Sequence, residues 1–199
     1  CSWLVIPANR SRLSPVNFQD TQLIGVLARA ESTVSSLSSL LGGLVEKFAA
    51  RGYSLYLVGG SVRDALLGRL GNDLDFTTPA RPEVVKEILD EWAETVWDTG
   101  IDFGTVSAAY KGQQIEITTF RSDSYDGQSR NPEVVYGDTL EGDLVRRDFK
   151  ANAMAIELLA DASFKFHDPL HGLQDIADRV LDTPDKPEIS FHDDPLRML

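Results

Sequence analysis

The chain has 199 residues, 19 basic against 31 acidic side chains, a net charge of −12 and a hydrophobic fraction of 42%. That length supports one domain of ordinary size and part of a second, with enough apolar content for a packed core. No apolar run approaches a membrane span, the lone cysteine excludes an internal disulfide framework and suits a reducing cytoplasm, and the acidic balance argues against broad nonspecific nucleic-acid binding. Cys1 stands where methionine is expected, which points to a fragment, a processed chain or a misplaced start. The stop at "DDPLRML", inside a helix-like pattern, reads as a truncation.

Residues 1–31 carry no strong periodic signal. From Ser32, Val34, Leu37, Leu41, Leu44 and Phe48 follow helical spacing, and Gly52 ends the run. "YSLYLV", residues 53–58, reads as a buried strand. Gly59-Gly60 then turns the chain, and Ser61 is placed to cap a short helix with Val62, Ala65 and Leu66 as its apolar face, stopped at Gly68. "DLDFTT" is a second strand, followed by a helix burying Val85, Ile88, Leu89 and Trp92. "TVSAAYKGQQIEITTF" reads as a hairpin turning near Gly112, and residues 122–142 as a loop without sustained period. "VRRDFKANAMAIELL" is predicted as a helix, "FKFHD" as a short strand, and the rest as a Gly- and Asp-rich connection. The expected domains are an N-terminal extension and lead-in helix (1–52), a catalytic head (53–160) and the start of a neck (161–199).

Two local patterns ask for chemistry. In a strand, residues two apart share a face, so Asp73 and Asp75 bring two carboxylates together and each raises the other's cost of ionising. A hard divalent cation, Mg²⁺ or Mn²⁺, removes the conflict; two solvated edge aspartates are the other reading. Arg63 falls at the predicted start of a helix, where the macrodipole disfavours a cation unless an anion is there too. A glycine turn opening a helix is a phosphate site. Gly59, Gly60, Ser61 and Arg63 are therefore candidates for phosphate, with Asp73 and Asp75 for metal. The alternative for Arg63 is a structural bridge to Asp64 or Asp75.

The whole stretch "LVGGSVRDALLGRLGNDLDF" resembles the signature of bacterial CCA-adding tRNA nucleotidyltransferases of class II and of the related bacterial poly(A) polymerases, within the DNA polymerase β-like nucleotidyltransferases. The later stretches "IEITTFR", "RRDFKANAMA", "DPLHGLQDI" and "DDPLR" follow in family order, so the resemblance runs from about Tyr53 to the last residue. It implies an α+β fold, a small mixed β-sheet backed by helices, then the start of a helical neck. It also implies two Mg²⁺ ions at Asp73 and Asp75 (Mn²⁺ as the other option), with Glu116 as a third carboxylate. Read by itself, Glu116 is an ordinary strand glutamate pointing away from Ile115 and Ile117.

The same resemblance implies that Arg147, Asp148 and Asn152 approach the incoming nucleotide's sugar and phosphates, discriminating ribose by its 2′-hydroxyl. Without it, Asp148 and Asn152 are a charged cluster four residues apart on a helix, with Phe149, Ala153 and Ile156 on the buried side. Asp194 and Arg197 match the pair that reads the base edge, Asp accepting and Arg donating hydrogen bonds. The implied reaction adds CMP and AMP to the tRNA 3′ end from CTP and ATP, in the cytoplasm and away from membranes, with the tRNA body held mainly beyond Leu199. Poly(A) addition is the nearest competitor, a non-catalytic nucleotide- or RNA-binding module of the same fold is another, and a Rossmann domain would want a third glycine in its turn.

Overall fold

The longest apolar stripe of the chain lies on helix α1 (Phe18–Ala50), in a computed structural model that describes residues 18–122, 135–188 and 190. Val26, Ala30, Val34, Leu37, Leu41, Leu44, Val45 and Phe48 recur three or four apart and are all buried. The helix thus begins at Phe18 rather than at Ser32. Its first half shows little in the sequence because small Ala30 stands among Arg29, Glu31 and Ser32, so the stripe is thin there. Gly52 ends it as expected. With φ at +79° it turns back, and the amides of Gly52 and Tyr53 donate to the carbonyls of Ala49 and Phe48.

The remaining elements alternate between sheet and cover. They are β1 (Leu55–Val58), α2 (Gly59–Leu66), β2 (Asp73–Thr78), α3 (Pro82–Asp90), β3 (Thr95–Trp97), β4 (Thr105–Tyr110), β5 (Gln113–Thr119), α4 (Leu140–Val145), β6 (Ala155–Leu158), β7 (Phe164–His167) and α5 (Gly172–Asp178). One seven-stranded mixed sheet results, in the order β3-β4-β5-β2-β1-β6-β7. β2 and β5 are parallel, and every other neighbouring pair is antiparallel. Lys111 and Gly112, both at positive φ, close the β4–β5 hairpin in the two-residue turn that matches strand twist.

One face of the sheet, with Leu55, Leu57, Leu74, Phe76, Val106, Ile115, Ile117 and Ile156, packs under α1, α2 and α3 to form the main core. The opposite face is covered only in part. There Val58, Phe120, Ala153 and Ala155 meet Leu140 and Leu144 of α4 in a smaller cluster. Trp92, predicted on the buried stripe of α3, falls just past that helix and stacks on Tyr110 of β4 with ring centroids 3.9 Å apart.

Three readings are corrected beyond β5. The loop assigned to 122–142 gives way at Leu140 to α4, whose start is capped by the Thr139 hydroxyl accepting from the Gly142 amide; residues 123–134 lie outside the described residues. "VRRDFKANAMAIELL" is not one helix. It comprises the end of α4, a 3-10 turn at Lys150–Asn152 and strand β6. β6 lies between β1 and β7 and is buried along its whole length. A strand covered on both faces reads as a continuous apolar run, which spacing alone cannot separate from a helix. Finally, α5 replaces the last irregular connection. The expected head boundary at residue 160 falls within the β6–β7 hairpin, so the sheet continues past it. Among the described residues no helix is both long and apolar enough to cross a membrane.

Because Phe48 is fully buried between α1 and the sheet, Phe48→Ala removes a large side chain from a site that can close only partly. Stability should fall by about 3–5 kcal/mol, measured as a lowered urea midpoint with unchanged slope.

Candidate active site

The uncovered face of the sheet carries the acidic side chains. In the parallel β2–β5 pair Asp73 lies beside Gln114, Asp75 beside Glu116 and Thr77 beside Thr118. Adjacent strands are about 4.8 Å apart, so Asp75 and Glu116 stand next to each other at one level. Alternation buries Leu74, Phe76, Ile115 and Ile117 on the far side and leaves Asp73, Asp75 and Glu116 exposed. Among the described residues no group of three or more His, Cys, Asp or Glu side chains forms a metal-holding cluster.

Ser61 fixes the spacing of the aspartates. Its hydroxyl accepts from the Asp75 amide at 3.0 Å and donates to the Asp73 carbonyl at 3.3 Å. It does not cap α2, whose N-cap is Val58 without a side-chain bond. The expected capping role is therefore wrong: α2 opens two residues before Ser61 and buries it against β2. Arg63 likewise sits a full turn inside α2 rather than at its start. Its Nε and Nη2 bind Asp64 at 3.0 and 3.2 Å, while Nη1 donates to Asn152 Oδ1 at 2.8 Å. Burial alone would raise the Asp64 carboxyl, but Arg63 and then Arg69 outweigh it and hold it below its ordinary range.

The glycine pair makes room for arginines. A Cβ on Gly59, whose φ is +65°, would lie 2.9 Å from Arg147 Nη1, and one on Gly60 would lie 3.4 Å from Arg63 Nη2. Asp148 and Asn152 meet although no helix joins them, because the 3-10 turn brings Asn152 Nδ2 to 3.0 and 3.1 Å from the two Asp148 carboxylate oxygens. The Phe149 amide also donates to Asp148 at 2.8 Å. Asp194 and Arg197 lie outside the described residues.

A cleft of about 350 Å³ has Asp75, Glu116 and Thr118 on the sheet side and Arg121, Asp143, Arg146 and Arg147 opposite; Asp73, Gly59, Gly60, Ser61, Arg63, Asp148 and Asn152 do not line it. Asp143 is 5% exposed. One of its oxygens accepts the Arg121 amide at 3.1 Å and the other accepts Arg147 Nη2 at 3.0 Å. Arg121 Nη2 is anchored on the Phe103 carbonyl at 2.7 Å and the Thr105 hydroxyl at 3.1 Å. The Nε atoms of Arg121 and Arg147 are buried without a hydrogen-bond partner among the described residues. Burial and then the nearby Arg146 push the Arg121 guanidinium below its usual range, with Asp143 opposing. Clustered guanidinium groups lining a cleft suit an anion. Partial desolvation, on a residue that still lies on the open face, pushes the Asp75 carboxyl above its ordinary range; Arg147 opposes this and Asp73 adds to it.

Sequence reasoning missed Arg121 and Asp143. The signal available was "GDLVRR", an acid on an otherwise apolar turn with an arginine four residues on, and an arginine directly after the "ITTF" strand.

A mixed sheet with paired carboxylates on its open face and arginines across a cleft defines a nucleotidyltransferase head. The family described as the poly(A) polymerase head domain matches residues 55–182, and the chain belongs to that family. It is 41% identical over 157 residues to a CCA-adding enzyme of Listeria innocua, covering 78% of this chain and 38% of the relative. It is also similar to the crystal structure of the Bacillus stearothermophilus CCA-adding enzyme in complex with CTP, with TM-score 0.67 and 37% identity over 81% of this chain and 37% of that one. A third likeness is to a tRNA nucleotidyltransferase complexed with a primer tRNA and an incoming ATP analogue, with TM-score 0.64 and 30% identity over 78% of this chain and 42% of that one. The chain thus spans well under half the length of these relatives.

Two outcomes follow from this geometry. A carboxyl raised by folding costs stability only when ionised: the cost is absent below the ordinary carboxylate range and grows as pH rises through the raised folded-state value. Asp75→Asn should therefore raise Tm at neutral pH with divalent cations chelated, by roughly 1–2 °C given solvent screening, and leave it unchanged in acid; paired circular-dichroism melts check this. Gly59→Ala adds both an unfavourable φ and a contact with Arg147. It should lower Tm by about 4 °C or more, read by circular dichroism, with the far-ultraviolet spectrum of the folded state retained.

Proposed function

We propose that this chain is the catalytic head of a template-independent RNA nucleotidyltransferase that adds CMP and AMP to the 3′ end of tRNA, drawing on CTP and ATP in the cytoplasm. The observation that carries this reading is strand register: Asp75 beside Glu116, facing Arg121 and Arg147 across the cleft, in a chain of this family. The names of the relatives favour CCA addition over poly(A) addition.

The donor set fits Mg²⁺, with Mn²⁺ as the alternative. Asp73 and Asp75 are exposed, all-oxygen ligands on one face, and Mg²⁺ commonly uses one or two carboxylates together with substrate phosphates rather than a full protein cage. Asp73 and Asp75 would hold two such ions, assisted by Glu116. Their chemistry is activation of the RNA 3′-hydroxyl and neutralisation of charge on the leaving pyrophosphate. Arg121, Arg146 and Arg147 orient the triphosphate, and Gly59 and Gly60 leave room beside the start of α2 for the guanidinium groups of Arg147 and Arg63. Ser61 contributes by holding the backbone of both aspartates in register. Asp148 and Asn152 read the sugar, steadied by Arg63. Asp194 and Arg197 read the base, and the tRNA body is held by the longer protein.

The test uses the full-length protein with tRNA lacking its 3′ CCA, offered CTP and ATP separately and together. Addition of C from CTP and of a single terminal A only when both are present supports the reading; a long A tail from ATP alone would make poly(A) addition the function. Asp73→Ala and Asp75→Ala should each lower turnover by about a hundredfold or more with folding preserved. Turnover near that of the parent at saturating Mg²⁺ would remove the metal assignment.

A further inference from the structure

The turn that carries Asn152 is clamped from its far side by residues well down the chain. Gly172, the first residue of α5, packs directly on it: a Cβ there would fall 2.1 Å from the Lys150 carbonyl oxygen and 3.2 Å from the Ala151 nitrogen. Asp168 locks this approach by accepting the Gly172 and Leu173 amides at 2.7 and 3.0 Å, one on each carboxylate oxygen. Asp182 then holds Lys150 twice, its carbonyl accepting the Lys150 amide at 2.9 Å and its carboxylate accepting Lys150 Nζ. On the near side Asn152 is bonded to Arg63 and Asp148. The turn is therefore held between α2 and the segment 168–182, and its position is set by both.

We infer that Gly172 and Asp182 are positioning residues for sugar selection: by fixing the Lys150–Asn152 turn they set where Asn152 and Asp148 stand, and so how strictly the site demands a 2′-hydroxyl. This rests on the assignment of Asp148 and Asn152 to the ribose. Neither residue touches the cleft, so each acts through the turn. A site that hydrogen-bonds a hydroxyl rejects the analogue lacking it because its buried polar groups are left unpaired. A turn free to shift lets those groups re-pair, and the penalty on a deoxynucleotide falls.

The experiment compares kcat/KM for CTP and for 2′-deoxy-CTP in the full-length enzyme with Mg²⁺, together with Tm. Asp182→Asn keeps the size and the backbone carbonyl but removes the charge facing Lys150, and Gly172→Ala pushes the turn outright. Each should lower the ribo-to-deoxy ratio about fivefold or more, while Asp182→Glu stays near the parent. Asp182→Asn guards against a Gly172→Ala chain that fails to fold. Asn152→Ala separates the two layers of the argument. A lowered ratio for Asn152→Ala with parental ratios for Asp182→Asn and Gly172→Ala would overturn the inference and leave the ribose assignment standing. A parental ratio for Asn152→Ala would overturn the ribose assignment and the inference with it. A fall in Tm with no change in ratio would make the clamp purely structural, which also overturns it.

Discussion

Like charge held at close quarters is the constraint around which this molecule is arranged. Strand register sets Asp75 beside Glu116, and strand alternation adds Asp73 on the same face. Partial desolvation makes ionised Asp75 still less comfortable. Most of the polar detail nearby answers that problem. Ser61 pins the backbone between the aspartates. Arg147 gives Asp75 favourable charge, and Asp143 and the missing side chain of Gly59 hold that guanidinium in place. Carboxylates gathered on one open face suit a cation, and clustered guanidinium groups suit an anion. The two are separated by the width of one cleft.

The parts of this arrangement that the sequence displays are those governed by short periods. "DLDFTT" and "IEITT" alternate apolar and polar residues, so the face of each carboxylate can be read from spacing alone, though not the direction in which the strands pair. The Lys111-Gly112 turn is equally local. β3 is three residues long with Thr95 and Trp97 exposed, too little for a periodic signal. β6 fails for the opposite reason. It is buried on both sides, so its alternation vanishes, and Phe149, Ala153 and Ile156 happen to fall at helical intervals. Asp148 and Asn152 meet all the same, but through a 3-10 turn that no spacing rule specified.

The glycine pair shows where local reasoning stops. Sequence alone says that Gly59 and Gly60 permit close approach; it does not say of what. The structure supplies two guanidinium groups, one of them from a segment on the other side of the sheet. Arg63 is a similar case. The sequence allows a structural bridge to Asp64 or Asp75; the structure has the one to Asp64, and the further bond of Arg63 to Asn152 depends on tertiary packing. Asp143 is hidden for the same reason: an acid on a short helix is ordinary until its burial and its two partners are known.

The parallel pairing of β2 with β5 also bears on how the chain reaches its native state. Asp75 and Glu116 are 41 positions apart (116 − 75), with α3, β3 and β4 between them. The β4–β5 hairpin closes on a two-residue turn and carries little loop-closure entropy, whereas β2 can join β5 only once that long crossover is in place. β1 and β6 must meet over a greater interval still, with Ser54 and Glu157 separated by 103 positions. The acidic face is consequently expected to assemble in the late, non-local stage of folding. Half-folded chains would then lack an organised cation site, and divalent ions would favour the finished sheet over its precursors.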